Sequence, residues 1–246
     1  MHRFHVDLPL ATGAVVRMPE PQARHITRVL RMRAGDEVVV FNGRGGEYLA
    51  RLAVTGTPAP GVDIELLEFN PREAELPFRV TLWQGISSHD KMSWTIEKAV
   101  ELGVSRIVPL TMRRSVVRLE GKNSAAKINR FQAIAQAASE QCGRNRVATV
   151  SPVHLFQQGF PDSPHDAVKL LLAPGAAKAI SANPVPARGS EIILFAGPEG
   201  GFAPEETALA LARGFEPVSL GPRILRTETA GAAALAMLAA LWGGLE

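Results

Sequence analysis

Two segments in the last quarter of the chain carry residue types suited to binding and group transfer. In the first, the apolar run Glu191–Ala196 (EIILFA) ends at Gly197-Pro198-Glu199-Gly200-Gly201-Phe202. In the second, Val218–Leu220 ends at Gly221-Pro222-Arg223-Ile224-Leu225-Arg226-Thr227-Glu228-Thr229-Ala230. Each is a β-type run stopped by glycine and proline and followed by a helical pattern. Strand ends of that kind form the crevice where open α/β sheets bind ligands. Two such turns at neighbouring strand ends, carrying Gly, Glu, Arg and Thr, exceed what packing requires. Glycine lets a ligand lie against the main chain and permits φ > 0, and Pro198 stiffens the turn. Glu199 sets one carboxylate at the strand mouth, where its plainer role is to accept helix N-terminal amides. Arg226 suits bidentate capture of a phosphate or carboxylate. Thr227 or Thr229 would be the N-cap of the last helix.

A third cluster, Gln141-Cys142-Gly143-Arg144-Asn145-Arg146, is polar and basic just past a helix end, and suits phosphate contact better than core packing. Other chemistries lack their residues. No G-x-G-x-x-G follows a strand and no G-x-x-x-x-G-K-[ST] occurs, which removes the usual support for nicotinamide, flavin and P-loop nucleotides. There is no G-x-S-x-G elbow for a serine hydrolase. The six histidines show no ligand spacing, so no metal site is expected. The single cysteine, Cys142, forms no intramolecular disulfide and follows a helical apolar pattern, as a buried thiol would.

The 246 residues allow one large domain or two modest ones. Hydrophobic content of 46% with 21% charge belongs to a globular chain. The apolar stretch Ala230–Trp242 is too short to span a membrane, and Met1–Pro9 alternates polar and apolar residues rather than forming a signal; a soluble, cytoplasmic protein is expected. The net charge of +3 is unevenly spread. Residues 111–146 hold eight bases (Arg113, Arg114, Arg118, Lys122, Lys127, Arg130, Arg144, Arg146) against Glu120 and Glu140, whereas residues 147–246 hold six bases and nine acids. A concentrated basic segment suggests a polyanion bound on one face; its plainer reading is a solvated helix face with basic loops.

These candidates need elements to position them. Residues 1–70 read as β-rich, with strands at Ala14–Met18, Glu37–Phe41, Glu47–Val54 and Val62–Phe69, and Asn42-Gly43 favours a hairpin turn. A helix from Pro21 to Met32 would place Arg24, Arg28 and Arg31 in a stripe opposite Ile26, Val29 and Leu30. Such a stripe on a small barrel is a plausible RNA-binding device, although residues 1–76 carry nine arginines against ten acids, so placement must do what bulk charge does not. The polar, proline-bounded stretch Asn70–Pro77 reads as the boundary, giving domains of 1–72 and 73–246. Beyond it strand and helix alternate: Phe78–Gln84, helix Asp90–Leu102 closed by Gly103, Val104–Leu110, helix Asn123–Cys142, Val168–Ala173, Glu191–Ala196, helix Pro204–Arg213, Phe215–Leu220 and helix Thr229–Trp242. That order implies a mainly parallel sheet covered on both faces. The last helix is apolar nearly all round, which demands burial inside the domain or at a subunit interface.

Taken together, Arg24–Gly35 (RHITRVLRMRAG), Lys91–Leu110 (KMSWTIEKAVELGVSRIVPL), Ser139–Val147 (SEQCGRNRV), Gly197–Phe202 (GPEGGF) and Leu220–Ala230 (LGPRILRTETA) resemble the ribosomal small-subunit RNA uracil-N3 methyltransferase family, within the SPOUT superfamily of knotted methyltransferases. The likeness runs the whole length in order. It implies an N-terminal PUA-like β-barrel, a C-terminal SPOUT-type α/β domain whose chain end forms a trefoil knot, a homodimer, and S-adenosylmethionine as methyl donor. Carried onto this chain, it places the cofactor among Leu172, Gly197, Leu220 and Leu225 with nearby main chain of Glu199, Gly200 and Gly221. The substrate would be small-subunit ribosomal RNA within the assembled subunit, held by Arg24, Arg28, Arg31, Arg113, Arg114, Arg144 and Arg146. Arg226 would stabilise charge on the target nucleotide or grip its phosphate, and Glu199 or Glu228 would take the N3 proton. Two other readings remain beside it: a non-catalytic RNA-binding or assembly protein, which an intact Gly197–Gly201 turn and Arg226 oppose, and an α/β enzyme of another nucleotide, which lacks its glycine pattern.

Overall fold

The computed structural model describes residues 1–53, 61–117 and 124–243. They divide into two compact units, one of 1–74 with 139–147, the other of 75–138 with 148–246. The first unit thus takes back a short segment that lies far along the chain.

In the first unit, β1 (Arg3–His5), β2 (Val15–Arg17), α1 (Glu20–Arg24), β3 (Glu37–Phe41), β4 (Glu47–Leu52) and β5 (Asp63–Asn70) follow one another. The strands form a sheet in the order β1-β3-β4-β5-β2, antiparallel except for the β1–β3 pair. Alternation along β3 and β5 sends Val38, Val40, Ile64 and Leu66 into one core with Phe4, Ile26, Ala50 and Leu52. Val54, expected to end β4, lies outside the described residues.

The helix expected over 21–32 is interrupted. After α1 the backbone widens into a π-helical turn over His25–Val29, with the Leu30 amide bonded to the His25 carbonyl. Arg31 then takes a left-handed backbone, φ +54, a conformation that costs a side-chain-bearing residue about 1–2 kcal/mol. The wide turn keeps Ile26 fully buried, but the even spacing that would have lined up the three arginines is lost.

The rest of the chain alternates as its pattern predicts: β6 (Arg79–Gly85), α2 (His89–Glu101), β7 (Arg106–Thr111), α3 (Ser124–Cys142, whose last turn from Ser139 belongs to the first unit), β8 (Thr149–Val150), β9 (His154–Leu155), β10 (Val168–Leu172), β11 (Glu191–Ala196), α4 (Pro204–Ala212), β12 (Glu216–Val218) and α5 (Thr227–Trp242). Asn123 lies outside the described residues. Every pair is parallel, in the order β12-β10-β11-β6-β7-β8, with β9 also on β7. The two-residue β8 and β9 escaped the sequence reading because neither is long enough to show a period; the Gln132 side chain secures β8 by bonding the Val150 amide and the Ala148 carbonyl.

Period-two alternation along β6 divides the labour. Trp83 joins Phe195, Phe215 and Val108 on one face, while Leu82 lies beneath Gly231 of α5 on the other. The apolar α5 is packed against α2 and the sheet, with Trp242 edge-on to Phe78. Leu241, 44% exposed, marks the side left open.

Candidate functional site

A parallel sheet brings every strand's carboxyl end to one edge, and a cavity of about 570 Å³ opens there. Its walls are Leu172, Ala173 and Pro174 after β10, Ala196 to Glu199 with Gly201 and Phe202 after β11, and Ile224 to Thr227 with Ala230 before and within α5. A smaller recess beside it is lined by Leu172, Val218, Leu220, Gly221 and Leu225. The two glycine-proline turns therefore meet, but not as neighbours: β10 stands between β11 and β12.

What joins them is a chain of hydrogen bonds. The Thr227 hydroxyl donates to the Gly197 carbonyl at 2.5 Å and accepts from the Gln84 amide at 2.9 Å. Gln84 is fully buried at the end of β6, so three elements are fastened through two side chains. Thr227 is consequently not the N-cap; Arg226 holds that position, and its carbonyl accepts from the Thr229 and Ala230 amides. The Arg226 side chain, on an exposed residue, lines the cavity and has no ion pair among the described residues.

The carboxylates are held by a residue that sequence reasoning passed over. Lys91 of α2 lines the cavity and places Nζ 3.2 Å from Glu199 and 3.8 Å from Glu228. Glu199 also accepts from the Ser88 amide at 3.4 Å. It does sit at a helix N-terminus, but that of α2 rather than of the helix following its own turn. Glu199 lines the cavity, whereas Glu228 lies behind Lys91, its side chain 14% exposed and its Oε2 buried without a hydrogen-bond donor. The signal for Lys91 was present in the sequence: a lysine in the first turn of a helix opposes the macrodipole and needs another reason to be there.

The glycines divide by purpose. Gly201 and Gly221 have φ +67 and +112, the left-handed values anticipated for such bends. Gly200 lines neither hollow; a Cβ there would meet the Arg114 backbone oxygen at 2.9 Å, so its smallness lets the two loops pack. Gly85, unremarked in the sequence, lets Pro198 pass within 2.3 Å of where its Cβ would stand.

The bases of the expected basic segment are divided between the two units. Arg118, Glu120 and Lys122 lie outside the described residues. Arg113 pairs with Glu205, and Arg114 donates to the Gly200 carbonyl, both within the second unit. Arg144 and Arg146 belong to the first. Within the Gln141–Arg146 cluster, Arg144 and Asn145 are buried, whereas Gln141 and Arg146 stay exposed. Arg144 is 3% exposed and Asn145 fully buried, bonded to the Arg3 guanidinium at 2.6 Å and the Arg72 carbonyl at 2.7 Å. Asn145 thus ties the segment into the first unit through Arg3 and Arg72, partners remote in sequence. Arg146 stays half-exposed, 3.8 Å from Glu73. In the first unit Arg24 pairs with Glu20, and Arg24, Arg28 and Arg31 are all exposed. No group of three His, Cys, Asp or Glu among the described residues could hold a metal ion, and no described helix is long and apolar enough to cross a membrane.

Residues 74–239 match the family described as RNA methyltransferase domain, and residues 19–58 the RNA methyltransferase PUA domain. The ribosomal RNA small subunit methyltransferase E of Bacillus subtilis is 34% identical over 97% of this chain and 96% of its own. The crystal structure of ribosomal RNA small subunit methyltransferase E from Neisseria gonorrhoeae bound to S-adenosyl methionine superposes with TM-score 0.92 and 36% identity, covering both chains completely. A Legionella pneumophila protein solved in complex with the same cofactor gives TM-score 0.87 and 32% identity over 97% of this chain and 96% of its own.

Proposed function

The chain belongs to the ribosomal RNA small subunit methyltransferase E family, and on that footing we propose that it transfers a methyl group from S-adenosylmethionine to N3 of a uridine in small-subunit ribosomal RNA. What carries this reading is the cavity at the carboxyl edge of the sheet. Its volume falls within the range of roughly 300–1,000 Å³ usual for small-molecule sites. Leu172, Leu225, Ala173 and Ala196 offer apolar walls suited to adenine, and the main chain of Gly197, Glu199 and Gly201 offers amides and carbonyls. There is no phosphate-binding loop, and the cofactor has no phosphate to bind. The residues present fit it.

When bound, S-adenosylmethionine supplies a methyl group on a positively charged sulfur. The chain's own residues do the rest. Leu172, Gly197, Leu220 and Leu225 hold the adenosyl group, and the fastened 197–202 turn orients the acceptor toward the methyl, where alignment accounts for much of the acceleration. Glu199, at the cavity wall with its side chain 24% exposed, is better placed than the recessed Glu228 to accept the N3 proton and release it to water. Arg226, exposed at the mouth, grips a phosphate beside the target. Arg24, Arg28 and Arg31 of the RNA-binding domain 1–72 meet the backbone elsewhere, joined by Arg113, Arg114 and Arg146 of the catalytic domain 73–246. The knotted chain end, a homodimer formed over the open side of α5, and action in the cytoplasm on the assembled small subunit complete the reading.

The test is methyl transfer from radiolabelled S-adenosylmethionine to isolated small ribosomal subunits and to free ribosomal RNA, with the modified nucleoside identified by mass spectrometry. 3-Methyluridine in the product is the expected result. Label on another nucleoside, or none on either RNA, would overturn the assignment.

A further inference from the structure

We propose that Lys91 is a catalytic residue of the methyl transfer: its ammonium group faces the acceptor uracil and offsets the negative charge that the base acquires as N3 loses its proton. The inference rests on the reading of the cavity as the methyl-transfer site.

Three observations carry it. Lys91 is a cation in the wall of that cavity, with its side chain 33% exposed. Its Nζ is gripped by one carboxylate from each bend, Glu199 from the turn after β11 and Glu228 from the start of α5. It also occupies the first turn of α2, where the helix dipole disfavours positive charge. A position that breaks a local rule while bridging two functional turns has a role beyond the helix.

The two carboxylates serve Lys91 differently. Glu228 stands behind it, with one oxygen buried and lacking a hydrogen-bond donor, and so fixes the ammonium from the protein side. Glu199 shares the cavity wall with it. An acceptor base entering there meets an adjacent ammonium and carboxylate. The N3–H bond breaks with its proton going to Glu199. The electron pair left on N3, delocalised onto the neighbouring carbonyl oxygens, is stabilised by Lys91. That pair then bonds to the methyl carbon as the methyl–sulfur bond breaks and the sulfur keeps its electrons. The proton leaves Glu199 for solvent. Arg226 is free for the phosphate, and Glu228 is a positioning residue acting through Lys91.

The experiment compares wild type with Lys91→Met and Lys91→Arg in single-turnover methylation of small ribosomal subunits across pH, with S-adenosylhomocysteine affinity measured by calorimetry. Removing one preorganised group that stabilises developing charge lowers the rate roughly 100- to 1,000-fold. Lys91→Met is expected to show that loss near neutrality, to bind S-adenosylhomocysteine within about threefold of wild type (an allowance set against the tenfold per 1.4 kcal/mol of binding energy), and to recover rate as pH rises and N3 ionises unaided. Lys91→Arg recovers part of the neutral rate. A readout independent of turnover is RNA carrying 4-thiouridine at the mapped acceptor, whose near-ultraviolet absorbance reports N3 ionisation. In complex with S-adenosylhomocysteine, wild type should shift that ionisation to lower pH and Lys91→Met should not. An unchanged profile and equal thiouridine ionisation in the two proteins, or a rate loss matched by loss of S-adenosylhomocysteine binding, overturns the role. If wild type itself methylates no RNA, it is the functional reading that fails.

Discussion

Replacing Thr227 by valine removes one hydroxyl and nearly nothing else, because the two side chains are almost equal in volume. Two hydrogen bonds go with it, the 2.5 Å bond to the Gly197 carbonyl and the 2.9 Å bond from Gln84. Gln84 keeps its bond to the Gly85 carbonyl at 3.1 Å, but its Oε1 is already without a partner, so the buried amide is left poorly satisfied. A net contribution of about 0.5–1.5 kcal/mol per bond, with an added penalty for buried groups left unpaired, gives a loss of roughly 2–3 kcal/mol. For a protein of this size each kcal/mol moves the melting temperature by about 2–4 °C, so a fall of about 4–12 °C is expected. The damage is centred on the cavity proposed to hold the cofactor. If half the loss is recovered only when ligand re-forms the turn, S-adenosylhomocysteine binds about tenfold more weakly, at 1.4 kcal/mol per factor of ten. Thr227→Ser keeps both bonds and should stay within about 1 kcal/mol of wild type. Differential scanning calorimetry and titration calorimetry measure the two quantities. A valine variant that melts with wild type and binds the ligand equally well would refute the claim that this hydroxyl fastens the two turns.

Other perturbations separate the remaining roles. Gly197→Val sets a Cβ 3.2 Å from the Phe202 ring and fills the cavity; it should weaken S-adenosylhomocysteine binding by at least ~10-fold, the effect of about 1.4 kcal/mol, while circular dichroism stays native. Arg226→Ala should raise KM for RNA more than it lowers kcat and reduce the salt slope of RNA binding by about one unit; a purely kcat effect would return Arg226 to charge stabilisation at the base. Charge reversal at Arg28 and Arg31 should weaken RNA binding and flatten its salt dependence, and an unaltered slope would make them solvated surface. Glu205 is held below the usual carboxylate range by its own backbone amide at the start of α4 and by Arg113. A depressed carboxyl favours the fold above its unfolded-state pKa and loses that favour as pH falls through the folded value. Carboxyl NMR should therefore show Glu205 titrating at lower pH than an ordinary glutamate, and Arg113→Ala should move it part of the way back.

How far the sequence reaches depends on the distance over which its signals act. The βα alternation after Pro77 was readable because each buried strand and each amphipathic helix states its period within a few residues; β11 falls at Glu191–Ala196 as expected. The interruption after Arg24 was not, because Ile26 and Leu30 fit a helical spacing whether the turn is α or π, and the left-handed Arg31 carries no glycine to announce it. Among site residues, the turns declared themselves by glycine and proline, and six of the seven positions expected around the cofactor line the two hollows, Gly200 being the exception. Partnerships did not declare themselves. Thr227 looks like a cap until Gly197, from the turn after β11, and Gln84, from β6, arrive beside it. Asn145 looks like a phosphate ligand until Arg3 and Arg72 enclose it. Glu199 and Glu228 were indistinguishable as candidate bases because their difference lies in what stands before each of them, and Lys91 stands before Glu228. A carboxylate facing the cavity can exchange a proton with substrate and solvent, whereas one behind an ammonium group sets where that ammonium sits. The proposed roles thus follow from depth, a quantity that emerges only when α2, β11 and α5 converge.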